Sequence, residues 1–229
     1  MNLIGAMLVR NEAGRWLSQT VEQLVQVCSR VVVVDDASTD ETPLICHQLG
    51  AIVHGSPRPL WETNELSQRQ RLWGLAVEQA GPGGWILCLD ADELLEPRAI
   101  EELPSIAALA EQHACDGLAF GLYDMWSPTY YRDDHLWTAH KRPWIMAVRY
   151  DPKRTYTWKE TPLHCGRFPL NACTKYCGTG LRLKHMGWSR PGDRREKYER
   201  YRRSDPEGKW GIPEQYESIL DPEPNLVEF

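Results

Sequence analysis

This sequence contains no long hydrophobic segment. No apolar stretch among its 229 residues approaches the ~18 residues that a membrane-spanning helix needs, and the N-terminus lacks the basic and then apolar pattern of a secretory signal peptide. These two absences argue against a membrane protein and against an exported one. The sequence therefore predicts a soluble, cytoplasmic protein without a transmembrane segment.

Internal repeats, low-complexity tracts and linkers are also absent. A chain of this length buries one α/β core well but leaves little room for a second complete domain. We therefore expect a single domain over residues 1–229. Its last part, residues 191–229, is expected to be a helical extension. The Pro-rich tail within it, residues 221–229, could dock on the body or on a second subunit, which leaves a homodimer open.

An excess of positive charge is lacking as well. The chain has 26 Lys and Arg against 32 Asp and Glu, which gives a formal net charge of −6. We therefore expect no nucleic acid partner, because binding to a phosphate backbone needs a basic surface. The basic residues are concentrated between Arg190 and Arg203, which is typical either of an anion-binding element or of a solvated helix face.

Standard metal-binding cysteine spacings are missing. The seven cysteines are an odd number scattered through apparent strands and helices, which predicts reduced thiols in a reducing compartment. His164, Cys165, Cys173 and Cys177 invite comparison with a zinc site. Their spacing is not one that structural zinc sites use, so zinc is disfavoured, and whether this segment binds a metal stays open.

Strand and helix patterns alternate three times in residues 1–95. Apolar runs at residues 3–9, 31–34 and 85–89 are typical of buried strands, and a helical pattern covers residues 65–79. This order predicts an α/β fold with a mostly parallel sheet, right-handed crossovers and flanking helices. One more strand is predicted at residues 117–123, within a loop-rich half.

Carboxylates follow two of these predicted strands. Asp35-Asp36 ends the second run, and Asp90-Ala91-Asp92-Glu93 ends the third. The carboxyl ends of parallel strands share one rim of the sheet, where ligands bind in open α/β folds. Crowded carboxylates repel one another, and a divalent cation that also binds phosphate oxygens would stabilise them. The alternative is ordinary architecture, in which acidic residues favour a helix N-terminus.

The second half of the chain is rich in tryptophan. Six of the ten tryptophans follow the acidic segment, and aromatic faces are good surfaces for sugar rings. This half of the chain is therefore a candidate binding surface for sugar rings or apolar groups. The alternative is that tryptophan fills a half with few regular elements to bury. The six are Trp126, Trp137, Trp144, Trp158, Trp188 and Trp210.

Three motifs stand in order in the first half: Val9-Arg10-Asn11-Glu12, Val33-Val34-Asp35-Asp36-Ala37-Ser38-Thr39-Asp40 and Leu89-Asp90-Ala91-Asp92-Glu93. Two more stand near the C-terminus, Leu183-Lys184-His185-Met186-Gly187-Trp188 and Arg194-Arg195-Glu196-Lys197-Tyr198. Together they resemble bacterial GT-A glycosyltransferases of family 2. The resemblance implies a GT-A, Rossmann-like fold with a nucleotide-sugar-binding half over residues 1–95 and an acceptor half over residues 96–190.

The resemblance also implies roles for the acids on the rim. Asp36 would bind the nucleotide base, Asp35 would shape its pocket, and Asp90 would face the ribose. Arg71 would approach the donor from the preceding helix. The full set of implied nucleotide-sugar contacts is Val9, Arg10, Asn11, Glu12, Asp35, Asp36, Arg71, Asp90 and Ala91.

A metal site is implied in the same way. Asp92 would chelate the ion, and His185 matches a late histidine that adds a nitrogen ligand. An imidazole beside carboxylates and phosphate oxygens suits Mn²⁺ somewhat better than Mg²⁺, and either is expected. Arg194 and Lys197 are candidate contacts for the diphosphate, unless their helix is simply a solvated face.

The general base is where the sequence departs from the family pattern. Bacterial relatives often carry a His-Glu pair in the second half, and His164-Cys165 stands here instead. Glu160 is our substitute candidate, while Asp124, Asp133 and Asp134 are weaker ones. Inversion at the anomeric carbon is therefore inferred from the resemblance, and retention stays open.

The function that these inferences imply is metal-dependent transfer of a sugar from a UDP-, GDP- or dTDP-sugar to an acceptor hydroxyl. The acceptor could be a saccharide, a lipid-linked saccharide or a peptide. A nucleotidyltransferase is the alternative enzyme, although no glycine-rich loop follows the first strand. A catalytically silent protein that binds nucleotide sugars or carbohydrate is the alternative of another class.

Overall fold

A mixed eight-stranded sheet with helices packed on both faces forms the body of the protein. The computed structural model describes residues 2–162, 164–209 and 211–229, so the prediction for Trp210 lies outside the described residues. Within them the strands are β1 Leu3–Val9, β2 Arg30–Asp35, β3 Ile52–Gly55, β4 Trp85–Cys88, β5 Glu93–Leu95, β6 Gly117–Asp124, β7 Tyr130–Arg132, β8 Pro143–Arg149, β9 Tyr176–His185 and β10 Leu226–Glu228. The α-helices are α1 Leu17–Val27, α2 Thr42–Gln48, α3 Trp61–Ala80, α4 Pro97–Gln112, α5 Pro191–Ser204 and α6 Pro213–Ser218.

The N-terminal half of the sheet is parallel, as the alternating pattern predicts. Strand order across the sheet is β3-β2-β1-β4-β8-β6-β9-β5, and β1 pairs in parallel with both β2 and β4. Apolar side chains of β1, β2 and β4 are buried on both faces, against α1 and α4 on one side and α3 on the other. The α/β fold class and the first strands are therefore confirmed.

The second half continues the same sheet rather than forming a separate one. Strand β8 runs antiparallel to β4 and β6, β9 runs parallel to β6, and the short β5 pairs with the end of β9. Strands β7 and β10 form a separate antiparallel pair. Because β5 follows β4 almost at once yet pairs at the far edge, the acidic segment between them crosses over the rim of the sheet.

Helix α3 begins earlier than its sequence pattern predicts. It starts at Trp61, and Asn64 interrupts the helical geometry with φ −157° and ψ 63°. The predicted start at residue 65 therefore corresponds to the regular part of the helix, just beyond this kink. The additional turn brings Trp61 and Glu62 to the rim, where both line cavities.

The C-terminal extension packs on a compact aromatic group. Trp126, Trp137, Trp188 and Ile219, here named the tryptophan cluster, are 6%, 2%, 7% and 1% exposed. The first two indole rings lie edge to face at 4.7 Å. The burial of Trp126 and Trp137 favours the filling role for them, whereas Trp188 also lines a cavity at the rim.

Two cysteines differ from the expectation of reduced thiols. Cys115, just before β6, and Cys177, in β9, form a disulfide. Cys28, Cys46, Cys88 and Cys165 are buried free thiols, and Cys173 is half-buried. The expectation is therefore wrong for one pair. Across the described ranges, no helix is both long and apolar enough to cross a bilayer.

Candidate active site

The acidic motifs meet at one rim of the sheet, as their positions at strand ends predict. Val9 at the end of β1 lies opposite Asp35 at the end of β2, and β4 ends beside them. The turn after β4 is held by its own side chain, because the Asp90 backbone N–H donates to Glu93 Oε2 at 2.9 Å. Glu93 is 1% exposed and shapes the segment that presents Asp92.

Asp92, His185 and Asp124 form a chain of interacting groups at this rim. Strand pairing places His185 opposite both Glu93 and Asp124. His185 Nδ1 lies 2.7 Å from Asp124 Oδ1, and His185 Nε2 lies 3.6 Å from Asp92 Oδ2. The predicted pairing of Asp92 with His185 is thus present, and Asp124 contacts the imidazole rather than standing free as a base.

Charges around the imidazole govern its protonation. Burial lowers the pKa of His185, but attraction by Asp92 and the hydrogen bonds that the imidazole donates to Asp124 and Asp92 raise it to about 10. Burial alone would raise the pKa of Asp92, yet Lys197 and His185 hold it well below its usual range. In the unliganded protein the Asp92 carboxylate is therefore ionised and compensated by two cations.

Lys197 reaches this carboxylate from α5. Its Nζ lies 3.2 Å from Asp92 Oδ2 and 4.4 Å from the centre of the Trp188 ring. The expectation that Lys197 belongs to the site is consistent with this position. Arg194, one turn earlier on the helix, donates instead to the carbonyl oxygens of Trp126 and Trp188. Arg194 therefore supports the tryptophan cluster and does not line the cavities of the rim.

Two arginines that the sequence analysis did not single out, the buried Arg69 and the half-buried Arg167, hold Asp90. Arg69 Nη2 lies 3.3 Å from Asp90 Oδ1, and Arg167 Nη2 lies 3.2 Å from Asp90 Oδ2. Arg167 also binds both oxygens of Glu93, at 2.7 and 2.5 Å. Burial raises the pKa of Asp90, but the attraction of Arg167 and Arg69 outweighs it, so the pKa is lowered.

Arg71 occupies the edge of the site instead of its centre. It donates to Ser56 Oγ and to the Gly55 carbonyl oxygen, both at 2.9 Å. The buried face of α3 carries Glu65, Arg69 and Leu72, a spacing of four and three residues. That helical period was the sequence signal that could have identified Arg69 as the inward-facing arginine.

Asp36 is fully buried and binds the backbone at the start of α3. Its carboxylate accepts the backbone N–H groups of Leu60 and Trp61, each at 2.8 Å, and the Gln68 side-chain amide. Arg10 Nη1 lies 3.5 Å from it. In this structure the partners of Asp36 are internal, and its contact with a nucleotide base stays a prediction.

Asp35 has a different environment from its neighbour. Its Oδ2 accepts the Ser38 backbone N–H at 3.1 Å, while its Oδ1 is buried and has no hydrogen-bond partner among the described residues. The first two motifs are joined nearby, since Asn11 Oδ1 accepts the Thr39 N–H at 2.8 Å and the Asn11 N–H donates to Ser38 Oγ at 2.9 Å. Asn11 adopts a left-handed backbone conformation, with φ 53°.

Two adjoining cavities open at the rim. The acidic cavity, of about 300 Å³, is lined by Val9, Arg10, Glu12, Ala91, Asp92, His185 and Lys197, among others. The aromatic cavity, of about 570 Å³, is lined by Arg69, Trp144, Arg167, Phe168 and Tyr216, among others. Trp61, Glu62, Asp90, Arg200 and Tyr201 line both. The predicted nucleotide-sugar residues Val9, Arg10, Glu12, Asp90 and Ala91 are thus brought together.

Among the predicted nucleotide-sugar residues that line the acidic cavity, Glu12 is the carboxylate whose pKa is raised. Burial and the nearby Asp92 raise its pKa to about 7, against the opposing effect of Arg15 and Lys197. Its backbone N–H donates to Thr42 Oγ1 at 2.7 Å, which fixes the loop after β1 against the start of α2.

Glu160 lies away from both cavities. It is exposed and lines a third cavity of about 660 Å³ with Asn64, Gln70, Tyr156 and Trp158, none of which lines the other two. Its placement does not support a role as general base. Asp133 is paired with Lys141 at 2.6 Å and Asp134 with Arg132 at 2.6 Å, so neither reaches the rim cavities.

The cysteine and histidine segment has other bonds in the part of the chain that the structure describes. Cys177 is bonded to Cys115, and the His164 backbone N–H donates to Glu65 Oε2 at 2.8 Å. Across residues 2–162, 164–209 and 211–229, no group of three or more His, Cys, Asp or Glu side chains converges on one point. Asp92 and His185 lie 3.6 Å apart at the rim, and their role as metal ligands stays a prediction.

The sequence and the fold both have known counterparts. The profile described as Glycosyl transferase family 2 matches residues 6–169. A Rickettsia felis protein named uncharacterized glycosyltransferase is 34% identical over 113 residues, which cover 49% of this chain and 36% of that protein. An uncharacterized Mycobacterium bovis protein is 26% identical, with 94% of this chain and 54% of that protein covered. The chain thus spans from about a third to about half of these relatives.

Solved structures agree with it over most of its length. Residues 1–349 of S. aureus TarS match with a TM-score of 0.55 and 18% identity, covering 96% of this chain and 69% of that one. Full TarS is covered to 42%. A mannosyltransferase from Pyrobaculum calidifontis, solved with GDP-Man and Mn²⁺, matches with a TM-score of 0.54 and 13% identity, covering 96% and 68%. At these identities the likeness establishes the GT-A fold.

Proposed function

This chain belongs to the Glycosyl transferase family 2, and from that premise we propose that it transfers a sugar from a nucleoside diphosphate sugar to an acceptor hydroxyl. One observation carries the proposal: the acidic cavity and the aromatic cavity adjoin and share Asp90, Glu62 and Trp61. Two substrates held in adjoining cavities meet at the shared wall. Such placement removes much of the entropic cost of a reaction between two molecules.

Asp92 and His185 are proposed as the protein ligands of Mn²⁺ or Mg²⁺. The donor set fits, because Asp124 holds Nδ1 of the imidazole and thereby directs Nε2 toward Asp92. Histidine ligands in metal sites are typically anchored by a carboxylate in this way. Two protein ligands leave coordination positions for diphosphate oxygens. When bound, the ion would supply Lewis-acid stabilisation of the departing nucleoside diphosphate.

Arg69 and Arg167 hold the proposed wall between the substrates. They bind opposite oxygens of Asp90 and therefore fix its orientation. Both line the aromatic cavity, where Glu65, Asp90 and Glu93 balance their charge. Their proposed role is therefore to position Asp90 on the acceptor side.

Glu62 replaces Glu160 as the proposed general base. It lies in the first turn of α3, is exposed, and lines both rim cavities. In inverting transfer the base takes the proton of the attacking hydroxyl while the bond between the sugar and the diphosphate breaks. Glu65 is less suitable, since its oxygens accept from Arg69 at 3.2 Å and from the His164 N–H at 2.8 Å.

The aromatic cavity is proposed to take a saccharide acceptor, free or lipid-linked. Trp61, Trp144, Phe168, Tyr201 and Tyr216 contribute aromatic surface to its lining. Sugar rings pack their apolar faces on such surfaces, while charged groups at the wall bind hydroxyls. A peptide acceptor would not need this concentration of aromatic rings.

Thermal unfolding with UDP, GDP and dTDP, each with and without Mn²⁺, tests the nucleotide and metal parts of this proposal. A ligand that binds only the folded protein raises the melting temperature. We expect a shift with one nucleotide that is larger with Mn²⁺ present. GDP belongs in the panel because the Pyrobaculum mannosyltransferase was solved with GDP-Man and Mn²⁺. The absence of a shift with all three would contradict the proposal.

Slow hydrolysis of the donor separates the enzyme from its alternatives. A glycosyltransferase transfers the sugar to water at a low rate and releases nucleoside diphosphate. A protein that only binds nucleotide sugars would release none, and a nucleotidyltransferase would instead form pyrophosphate from a nucleoside triphosphate.

A further inference from the structure

We propose that Lys197 is a tethered counter-ion that competes with the divalent cation for Asp92 and thereby makes metal binding depend on the diphosphate. The inference rests on the proposed function, because it concerns the same acidic cavity. It assigns to Lys197 a role distinct from that of a simple diphosphate contact: the side chain occupies the metal-binding oxygen until a nucleotide arrives.

The competition concerns a single atom. Lys197 Nζ lies 3.2 Å from Asp92 Oδ2, and His185 Nε2 approaches the same Oδ2 at 3.6 Å. The oxygen that faces the histidine is therefore already in contact with an ammonium group. The side chains of Lys197 and Asp92 are only 11% and 20% exposed, so water screens their attraction weakly.

The surroundings are shaped to admit this ion pair. Gly187 lies directly beside it, and a β-carbon at that position would overlap both Lys197 Nζ and Asp92 Oδ2. On the other side the ammonium group rests on the face of Trp188, with its Nζ 4.4 Å from the ring centre. A cation on an aromatic face is stabilised by the charge distribution of the ring. Lys197 is thus held in place from both sides.

A divalent cation bound to Asp92 Oδ2 cannot coexist with an ammonium group at this distance. Both would lie next to one oxygen, and like charges in a partly buried site repel strongly. Lys197 must therefore move when the ion binds. The long side chain of Lys197 can move in this way without a shift of α5, because its carbon–carbon bonds rotate.

The displaced ammonium group then needs another anion. Lys197 lines the acidic cavity, where the proposed diphosphate would lie. The nucleotide compensates the charge that Lys197 loses at Asp92, so the ion binds more tightly when the nucleotide is present. Linkage requires the reciprocal effect, in which the ion raises the affinity for the nucleotide by the same factor.

Titration of Mn²⁺ measures this competition directly, because only free Mn²⁺ gives a strong electron paramagnetic resonance signal. The wild-type protein and Lys197→Met are titrated with Mn²⁺ alone and then with saturating UDP or GDP, whichever raises the melting temperature. We expect Lys197→Met to bind Mn²⁺ about tenfold or more tightly without nucleotide, and the gain from adding nucleotide to shrink by a similar factor. Lys197→Arg, which keeps a cation, should bind Mn²⁺ as weakly as the wild type.

Arg195→Met is the matched control. It removes a cation from the same helix, and Arg195 is exposed and lines neither rim cavity, so its Mn²⁺ affinity should equal that of the wild type. Circular dichroism verifies that each variant is folded. If Lys197→Met does not fold, Lys197→Gln provides a second neutral variant.

Two results would overturn the inference, and they differ in what else they affect. If wild type and neutral Lys197 variants bind Mn²⁺ equally with and without nucleotide, the competition is wrong while the proposed metal site stands. If none of them binds Mn²⁺ under any condition, both the competition and the metal dependence are wrong. Nucleotide binding without Mn²⁺ would still leave the proposed sugar transfer intact.

Discussion

His185 Nδ1 lies 2.7 Å from Asp124 Oδ1, which makes Asp124 the group that orients the proposed metal-binding imidazole. The two residues end neighbouring strands, since Asp124 closes β6 and His185 closes β9 in a parallel pair. A backbone register therefore determines which nitrogen of the imidazole faces Asp92. This arrangement makes the strand pairing part of the active site.

Asp124→Asn is expected to lower Mn²⁺ affinity by about 10- to 100-fold, because an uncharged partner orients the imidazole less firmly and makes it less basic. Titration of Mn²⁺ in the presence of the nucleotide that binds best measures this change. Asp133→Asn is the control, since Asp133 pairs with Lys141 outside the rim cavities. Equal Mn²⁺ affinity of Asp124→Asn and the wild type would remove Asp124 from the site.

Glu62→Gln is expected to reduce kcat for sugar transfer by about 10²- to 10⁴-fold, because the amide cannot accept the acceptor proton. Donor binding should be unchanged, so the nucleotide-induced rise in melting temperature serves as the internal control. Glu160→Gln, in the separate third cavity, should transfer at nearly the wild-type rate. The reverse outcome, with Glu160→Gln inactive and Glu62→Gln active, would restore the base predicted from the sequence.

Asp36→Ala is expected to lower the free energy of unfolding by about 3 kcal/mol, because several buried donors lose their acceptor. Among them are the backbone N–H groups of Leu60 and Trp61 at the entry of α3. Urea unfolding followed by circular dichroism measures the change. Glu41→Ala is a suitable control, since Glu41 precedes α2 without a side-chain capping bond and its loss should cost little. A loss no larger than that of the control would contradict this role of Asp36.

The raised pKa of Glu12 predicts that the free energy of unfolding depends on pH. Its pKa is about 7 in the folded protein against an ordinary 4.5, chiefly because burial disfavours the charged form. Between these values the unfolded chain releases the proton that the folded protein keeps, so the free energy of unfolding falls as the pH rises toward 7. Below both values Glu12 makes no contribution, and above them its penalty is constant.

Glu12→Gln should remove this part of the pH dependence. Urea unfolding at several pH values between about 4.5 and 8 is expected to show a smaller decline for the variant than for the wild type. Glu22→Gln, on α1 and exposed, is the control for a general loss of one charge. Parallel declines in wild type and Glu12→Gln would rule out a raised pKa for Glu12.

The parallel half of the fold was predictable because its signals are local. Uninterrupted β-branched residues at positions 31–34 can form only a strand buried on both faces, and the acids that follow are then necessarily at the rim. Asp92 and His185 were predictable from a resemblance between motifs. The distance of 3.6 Å between His185 Nε2 and Asp92 Oδ2 agrees with that pairing.

The second half was less predictable because its contacts are set by tertiary structure. Arg167 lies 74 residues from Glu93, and nothing in the local sequence around it indicates that it is half-buried. Arg194 and Lys197 share one helix and one basic composition, yet they face different surroundings. The location of Glu160 in a separate cavity was unpredictable for the same reason, since the position of a loop cannot be read from the residue types within it.

Arg167 also joins the two cavities that are proposed to hold different substrates. It comes from the segment that lines the aromatic cavity, and it binds Asp90 and Glu93 in the turn that presents Asp92. The segment and the turn are therefore linked through one side chain. A substitution of Arg167 would release both at once, and its effect would not be confined to the aromatic cavity.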